Sequence, residues 1–494
     1  MPLAVLPSLS GVSLPPANPV RDLDDDERGM ITRLAQRLAQ HSVEMMLLRE
    51  YYEGTQRLAS LGVSIPAKLA SVRTVVDWPR ICVDPLVQRC VVDGFRLPGQ
   101  LAADEEMWAH WQANDLDAEA PLCFLDSFLY GRGYMIVGSP DAPGMSPLVT
   151  VESPMNAVLA WDPRTRRSIA GYQAYQVESV TKAALYLPDV TVSMSKDGQG
   201  EWVVDGRDEH GFGEVPMVRF ANRPRSGDRD GRSEITPAVR ATTDSVCRTL
   251  LGMEIAREFY SIPHRYVLGA VESDFVDAQG NPKTALDMAM SKFLAFERDD
   301  GGELPTVGQF QAMDPSVFTK IVDEHAKLMS AFTQFPPAWF GQTADANPAS
   351  ADAIRVAQDG VNRRARQAHR QFDDPLERVQ RLVWRFANGG AQPPADMLRM
   401  ETDWEDPAAA TPAATSDALL KQVQMGALPA TSDVVLRQLG YSPVDRLQIE
   451  ADRKLDAGTA MLAELANSLQ AKEARTDLTV ARDITNSQQQ PPPA

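Results

Sequence analysis

The sequence lacks the residue patterns of the common catalytic and membrane-spanning classes. No apolar run approaches the roughly 20 residues that a helix needs to cross a bilayer. The six histidines are scattered, and His-Glu-x-x-His, Gly-x-Ser-x-Gly and Gly-x-x-x-x-Gly-Lys-Ser/Thr are all absent. These absences argue against a membrane protein, a zinc peptidase, a serine hydrolase and a P-loop nucleotide-binding protein. We therefore expect no catalytic residues, no metal and no cofactor.

Cysteine is scarce as well, with four residues in the chain: Cys82, Cys90, Cys123 and Cys247. Their spacing matches no zinc-binding or disulfide pattern, and the first three lie in apolar runs. We expect reduced core residues in an intracellular setting. Residues 1–19 lack the basic region and continuous apolar core of a signal peptide, so we expect 1–27 to be a disordered arm.

Positive charge is in deficit, because 49 Lys and Arg face 67 Asp and Glu, which gives a net charge of −18 and a pI near 4.9. A protein that grips nucleic acid over its whole surface needs Lys and Arg against phosphate, so this class is disfavoured. A protein past which DNA slides is not disfavoured by this charge. The exception to the deficit is 351–388, where eight arginines and five acids give +3.

The length of 494 residues, with 44% hydrophobic and 23% charged residues, suits a protein of two or three globular domains. Helical and strand-like patterns both occur, so we predict an α+β class. Helices are expected from the acidic cluster at 22–27 to about Glu53, over 105–114 and over 118–130, with a strand into Phe95. Short Val-, Tyr- and Ile-rich runs between Tyr134 and Phe220 predict an antiparallel meander, in which 182–195 is a single run.

The second half of the chain alternates long helices with inserts. Ser233 is a candidate N-cap for a helix over 233–260, which Pro263 ends. A compact insert follows, with strands at 265–268 and near 293–297 and a helix over 284–292. Three further helices are expected at 416–425, 431–439 and 443–470, followed by a polar tail that we expect to be disordered over 471–494.

The most informative stretch is 314–388. A helix over 315–332 must stop before Pro336 and Pro337, which lack amide donors. The chain stays irregular through Ser350, and a long helix follows, which Pro375 should kink or interrupt. The aromatic residues of the break predict an exposed trio on a protruding loop, and the alternative is a local core into which they fold back. This trio is Phe335, Trp339 and Phe340.

Two further features carry little chemistry. Gly131-Arg-Gly133 is too short to hold a phosphate group and predicts a turn. Asp228 and Asp230 precede Gly231 as in a calcium-binding loop, but the late acidic ligand is missing, so a solvated loop is favoured. A metal-dependent hydrolase that uses these two carboxylates is the rival interpretation from the enzyme class.

The order of several short motifs resembles the portal, or head-to-tail connector, proteins of tailed bacteriophages, specifically the siphophage type. The resemblance covers roughly 28–453. It rests on Tyr51-Tyr-Glu-Gly54, Trp78-x-Arg80 with Arg89 and Val92-Asp-Gly-Phe95, Val307-Gly-Gln-Phe310, Phe335-Pro-Pro with Phe340-Gly341, Asn347-Pro-x-Ser350, and Trp404 with Asp406-Pro407.

The resemblance implies a homo-oligomeric ring, typically of twelve subunits, at one vertex of the virion capsid. Double-stranded DNA passes through it without sequence specificity, and the protein is assembled in the host cytoplasm without a membrane. The implied partners are the terminase and the head-completion, major capsid and scaffolding proteins. The alternative of a different head-joining protein without a channel stays open. The implied parts are a wing (28–232), two stem helices (233–262 and 314–333), a clip (263–313), a tunnel loop (334–350), a long kinked helix (351–388) and a helical crown (389–470).

The resemblance also implies roles for particular residues. The DNA-channel residues would be Phe335, Trp339, Phe340, Gln342, Thr343 and Asn347, with Phe335 and Trp339 as anchors. The basic helix supplies candidates for pairing between subunits: Arg363, Arg364 and Arg370. The clip supplies candidates for partner binding: His264, Arg265, Arg298 and Asp299.

Overall fold

The computed structural model describes residues 23–56, 73–100, 102–140, 142–197, 202–260, 265–268, 306–309, 314–341, 351–408, 412–429, 432–441, 445–456, 458–459 and 461–463. The chain divides into two compact units, Met1–Ala408 and Ala409–Ala494. Most of the predicted arm, all of the predicted tail, and the helix and second strand predicted within 284–297 lie outside the described residues.

The first helix, α1 (Asp25–Tyr52), begins at a capping box. The Glu27 amide donates to the Asp24 carboxylate at 2.7 Å, and the Asp24 amide donates to the Glu27 carboxylate at 3.1 Å. Residues 25–27 are therefore helical, although the predicted arm includes them. The acidic first turn also lies at the positive end of the helix dipole.

The elements that follow agree with the sequence pattern. The strand into Phe95 and the two predicted helices are confirmed within a few residues, and two further helical turns come before them. These elements are α2 (Trp78–Ile81), α3 (Asp84–Val87), β1 (Val92–Arg96), α4 (Glu105–Ala113) and α5 (Leu116–Tyr130).

The predicted single meander is wrong, because the strands form two antiparallel sheets. One sheet has the order β3-β2-β9 and the other the order β4-β5-β6-β7-β8. The last strand pairs with β2, through Arg132 opposite Ala221, and so leaves the local order. The run 182–195 is two strands, since the chain turns at Pro188. The strands are β2 (Arg132–Gly138), β3 (Leu148–Glu152), β4 (Ala157–Trp161), β5 (Ser168–Val177), β6 (Val180–Tyr186), β7 (Thr191–Asp197), β8 (Val203–Asp208) and β9 (Met217–Ala221).

Three long helices organise the rest of the first unit: α6 (Pro237–Tyr260), α7 (Ser316–Thr333) and α8 (Ala351–Ala387). The Ser233 N-cap prediction is wrong. The hydroxyl oxygen of Thr236 accepts from the Val239 amide at 3.3 Å, and the helix begins at the next residue, a proline, which suits a first-turn position.

The strand predicted at 265–268 is confirmed as β10 (Arg265–Leu268). It pairs with β11 (Thr306–Gln309) in an antiparallel register that places Arg265 opposite Gln309. The pair precedes α7 and follows α6.

Helix α8 runs without interruption through Pro375, so the prediction of an interruption there is wrong. The proline removes one backbone hydrogen bond, but the helix face around it is fully buried and its packing outweighs that loss. The buried side chains of this face are Phe372, Leu376, Val379, Leu382 and Val383.

After α8 the chain forms β12 (Glu401–Trp404), which pairs antiparallel with β1. Residues up to Ala408 thus lie with the elements at the start of the chain. The second unit contains α9 (Pro412–Gln424), α10 (Asp433–Gln438) and helical residues at 445–456. All four cysteines are free and buried, as predicted.

Candidate functional site

The turn between α7 and α8, Gln334–Gly341, is called the loop seat below, because it precedes the remaining residues of the predicted loop, 342–350. Gln334 adopts a left-handed conformation with φ of 60°, and its amide donates to the Ser330 carbonyl at 2.7 Å. Pro337–Phe340 form a short 3-10 turn, which ends at Gly341 with φ of 87°. Glycine tolerates this angle at no steric cost. The sequence therefore ends α7 and turns the chain within a few residues.

The aromatic side chains of the loop seat point into the protein. Phe335 and Phe340 are only 1% and 2% exposed, and Trp339 is half-buried. Phe335 meets Trp339 edge-on at 5.6 Å between ring centroids, and Phe340 meets Trp78 at 5.7 Å. The predicted exposure of Phe335 and Phe340 is wrong. These large apolar rings are more stable against the core than in water, as in the fold-back alternative.

Arg89 also contacts Trp339. Its guanidinium lies 5.8 Å from the centroid of the indole ring, within the range of a cation–π contact. The same group donates to Asn362 of α8 at 3.0 Å and to the Pro85 carbonyl at 2.9 Å. The loop seat is thereby tied to both α3 and α8.

Arg364 of α8 binds the other end of the loop seat. It donates to the Thr333 carbonyl at 2.6 Å, forms an ion pair with Glu234, and lies 5.3 Å from the ring centroid of Phe335. Burial and the nearby charge of Arg223 lower the pKa of Arg364 to about 10, so it is still a cation at neutral pH. Its charge is neutralised by Glu234 inside the chain, and the assignment of Arg364 to pairing between subunits stays a prediction.

Glu234 is the acceptor that this cation requires. It is 3% exposed, and its carboxylate also accepts from Asn222 at 3.0 Å and from Arg223 at 3.3 Å. Its own amide donates to the Phe128 carbonyl at 2.8 Å. Glu234 therefore connects the residues before α6 with α5 through its amide, and with the segment after β9 and the end of α7 through its carboxylate.

Gly360 lets α8 approach the loop seat. A Cβ atom at this position would lie well inside contact distance of the Gln334 carbonyl oxygen, which is backbone and cannot rotate away. The two helix backbones are therefore packed directly against each other here. A glycine inside a helix costs roughly 1 kcal/mol relative to alanine, and this close approach explains its presence.

A second layer of contacts supports Arg89. The His369 ring donates through Nε2 to the Arg89 carbonyl at 2.8 Å and stacks on Trp404, with 4.3 Å between ring centroids. The indole N–H of Trp404 donates to Asp373 at 2.5 Å. Burial lowers the pKa of His369, which favours the neutral form of the ring. The contacts give a structural role to Trp404, which the sequence had marked only through the family resemblance.

Of the remaining predicted site residues, the structure describes three and leaves six outside the described ranges. Arg363 and Arg370 are exposed, and Arg363 pairs with Asp359 one turn earlier at 3.2 Å, so both side chains are accessible on the surface of α8. Arg265 lies in β10. The others lie outside the described residues, namely Gln342, Thr343, Asn347, His264, Arg298 and Asp299.

The two carboxylates of the rival hydrolase interpretation serve as ion-pair partners. Asp230 accepts from Arg37 at 2.6 Å and from Arg219 at 2.8 Å, and Asp228 lies 3.4 Å from Arg232. No group of three or more potential metal ligands occurs among the residues that the structure describes. The arrangement gives these aspartates a structural role.

Sequence reasoning did not find Glu234, Asn362 and Gly360. The isolated glycine within a helical pattern was the available indication of close backbone packing. The partners of Glu234 and Asn362 lie far away in the sequence, and no local spacing indicates such pairs.

Comparison with known proteins finds similar sequences over most of the chain. Residues 34–434 match the family described as "Phage portal protein, SPP1 Gp6-like". The portal protein of Mycobacterium phage D29 is 37% identical over 406 residues, which cover 80% of this chain and 82% of that protein. The portal protein of Mycobacterium phage L5 is 36% identical over the same coverage. Within the described residues, no helix is both long and apolar enough to cross a membrane.

Proposed function

Because the chain belongs to the family of SPP1 Gp6-like phage portal proteins, we propose that twelve copies form a ring whose channel carries double-stranded DNA during packaging and ejection. A portal protein is a structural component of the phage head at the capsid vertex and not an enzyme. The family implies an oligomeric, DNA-passing ring. The subunit number, the channel lining and the partners of this chain belong to the proposal.

The observation that carries the proposal is the loop seat. The end of the loop seat next to α7 is held in place by contacts with Arg364, Arg89 and Gly360. Helix α8 begins after the predicted loop, at Ala351. We propose that 342–350 lines the channel, with Gln342, Thr343 and Asn347 toward the DNA. Phe335, Trp339 and Phe340 then act as the anchor of the segment, with Phe335 and Phe340 away from the channel.

The charge of the chain suits a channel in which DNA slides. A subunit of net charge −18 presents few cations for lasting phosphate contacts, so a ring of such subunits would bind DNA weakly. The amide and hydroxyl groups of 342–350 would contact the duplex without reading its bases, since base readout needs side chains inserted into a groove.

We further propose the division of the chain into wing, stem, clip, long helix and crown that the sequence resemblance implies. In this division β10 belongs to the clip, where His264, Arg265, Arg298 and Asp299 would meet the terminase and later the head-completion proteins. The wing and crown would face the major capsid and scaffolding proteins during assembly in the host cytoplasm. Arg363 and Arg370 are proposed contacts between neighbouring subunits.

Deletion of Gln342–Ala346 tests the assignment of the loop to the channel. We expect deletion of these five residues to leave ring formation intact in negative-stain images but to lower DNA packaging at least tenfold, or to abolish DNA retention. The control is a variant in which a Gly-Ser sequence of equal length replaces them, which separates loop length from side-chain chemistry. Packaging at the wild-type level by the deletion variant would overturn the assignment of the loop.

A further inference from the structure

One side of α7 carries an apolar stripe that the residues described by the structure leave partly exposed. Val317, Ile321, Leu328 and Phe332 are 47%, 40%, 47% and 50% exposed. They recur at intervals of four, seven and four residues, so they lie on one side of the helix over roughly 22 Å. Single exposed apolar residues are ordinary, but a continuous stripe indicates an interaction surface. These four residues are called the α7 stripe below.

The α7 stripe is not the side on which α7 packs inside the chain. That side carries Ala326, Met329 and Thr333, all buried, and Phe318, whose ring lies beside Gly252 of α6. At about 100° per residue, the stripe is rotated by roughly 110° from the buried side around the helix axis. Phe318, which faces α6, lies roughly 70° from the centre of the stripe, so the stripe lies to one side of the α6–α7 contact.

Helix α6 also has an apolar side that is only partly buried. Leu250 packs on the core of the first unit, and Gly252 faces α7. Leu251 and Ile255, one turn apart, are only partly buried. At about 100° per residue, their mean direction around the helix axis lies roughly 120° from Leu250 and roughly 80° from Gly252. The helix pair α6–α7 thus has two separate apolar surfaces, one on each helix.

We propose that the α7 stripe of one subunit packs on Leu251 and Ile255 of the next copy of the same chain. Two different surfaces on one protomer make a head-to-tail contact, and such contacts generate rings when the rotation closes. The inference rests on the proposed ring and names the surfaces that close it. A membrane is a poor occupant, because Lys320 and Lys327 are balanced by Asp323 and Glu324, whereas interfacial helices are basic.

The spacing of the stripe also sets the packing geometry. Val317, Ile321 and Leu328 recur at intervals of four and seven residues, which fits the heptad spacing of a left-handed coiled coil. Helices with this period cross at about 20°, so α7 of one subunit runs nearly along α6 of the next.

Glu324 does not interrupt this contact as an unpaired charge. It is paired with Lys327 at 2.7 Å within the same helix. The carboxylate therefore already has a counter-ion before the neighbouring subunit binds.

The first test replaces Leu328 by Asp in the full-length chain, with Thr319→Asp as the control. Thr319 is exposed on the opposite side of α7, so the control adds the same charge to the same helix. Native mass spectrometry should find rings for the wild type and Thr319→Asp, and free protomers with unchanged circular dichroism for Leu328→Asp. Rings of Leu328→Asp that persist at hundredfold dilution, as those of the wild type do, would overturn the proposal.

The second test is disulfide crosslinking between Leu328→Cys and Leu251→Cys, and it does not require a stable ring. All four native cysteines are buried, so the introduced thiols react selectively. The double variant should give a ladder of covalent oligomers, and a mixture of the two single variants should give dimers only. Crosslinks that form only within one chain, or not at all, would contradict the interface. A wild type that forms no ring while these dimers appear would contradict the proposed function and leave the interface supported.

Discussion

Arg364 is the single residue that joins the most parts of the loop seat. Its guanidinium meets the carboxylate of Glu234, the last carbonyl of α7 and the ring of Phe335. A buried ion pair is stabilising only while both partners are present, since each alone is an uncompensated charge in a poorly solvated place. The pair therefore fixes how α7 ends relative to α6 and α8.

We expect Arg364→Met to lower the free energy of unfolding by about 3 kcal/mol, because Glu234 loses its nearest cation while the apolar stem over Phe335 is kept. The matched control is Arg363→Met, whose exposed pair with Asp359 should contribute less than about 1 kcal/mol. Urea unfolding of both variants checks the difference. Equal losses would contradict a special role for Arg364.

Asp126 gives a prediction of pH dependence. Burial raises its pKa to about 7, against a weaker opposing hydrogen bond to Ser153. The unfolded chain ionises this carboxyl group near pH 4, whereas the folded chain keeps it protonated up to about pH 7. Ionisation therefore favours the unfolded chain between these values, and the free energy of unfolding falls as pH rises from about 4 to about 7.

The variant Asp126→Asn cannot ionise and should therefore become more stable than the wild type as pH rises. The difference should be small near pH 4 and should level off above pH 7 at on the order of 3 kcal/mol. Urea unfolding at several pH values measures it. A difference that stays constant from pH 4 to pH 8 would contradict the raised pKa.

At the scale of elements, two helix glycines have opposite roles. A Cβ at Gly360 would collide with the backbone of Gln334, whereas a Cβ at Gly252 would lie 3.5 Å from a ring atom of Phe318, an ordinary contact. We expect Gly360→Ala to lower the free energy of unfolding by about 1–3 kcal/mol. Gly252→Ala should raise it by up to about 1 kcal/mol through helix propensity.

Thermal unfolding of the two glycine variants makes the comparison direct, because the chemical change is identical. A shift of the unfolding midpoint downward for Gly360→Ala and not for Gly252→Ala is the expected result. Stabilisation by both would mean that α8 does not pack directly on the end of α7.

The elements that the sequence predicted are those with local causes. The ends of α7 and the strand at 265–268 follow from prolines and side-chain periodicity, and these predictions are confirmed. The division into two sheets, and the pairing of Val92 with Trp404, depend on contacts between distant segments. The same limit applies to Arg364, whose partner Glu234 is distant in sequence, while the pair of Arg363 with Asp359 has a helical spacing.

At the scale of the whole molecule, the charge and the surfaces act together. A net charge of −18 would keep DNA from binding permanently in the proposed ring, but it would also make the subunits repel one another at long range. Apolar surfaces such as the α7 stripe would supply short-range attraction that does not require opposite charges. The loop seat would then hold 342–350 of every subunit at the same height in the channel.

The most direct measurement of this account is an electron cryomicroscopy reconstruction of the assembled full-length chain. The account predicts a closed ring in which 342–350 forms the narrowest part of the channel. Phe335 should remain packed against Arg364, and Phe340 against Trp78. A ring whose constriction is formed by another segment, or particles without a central channel, would contradict it.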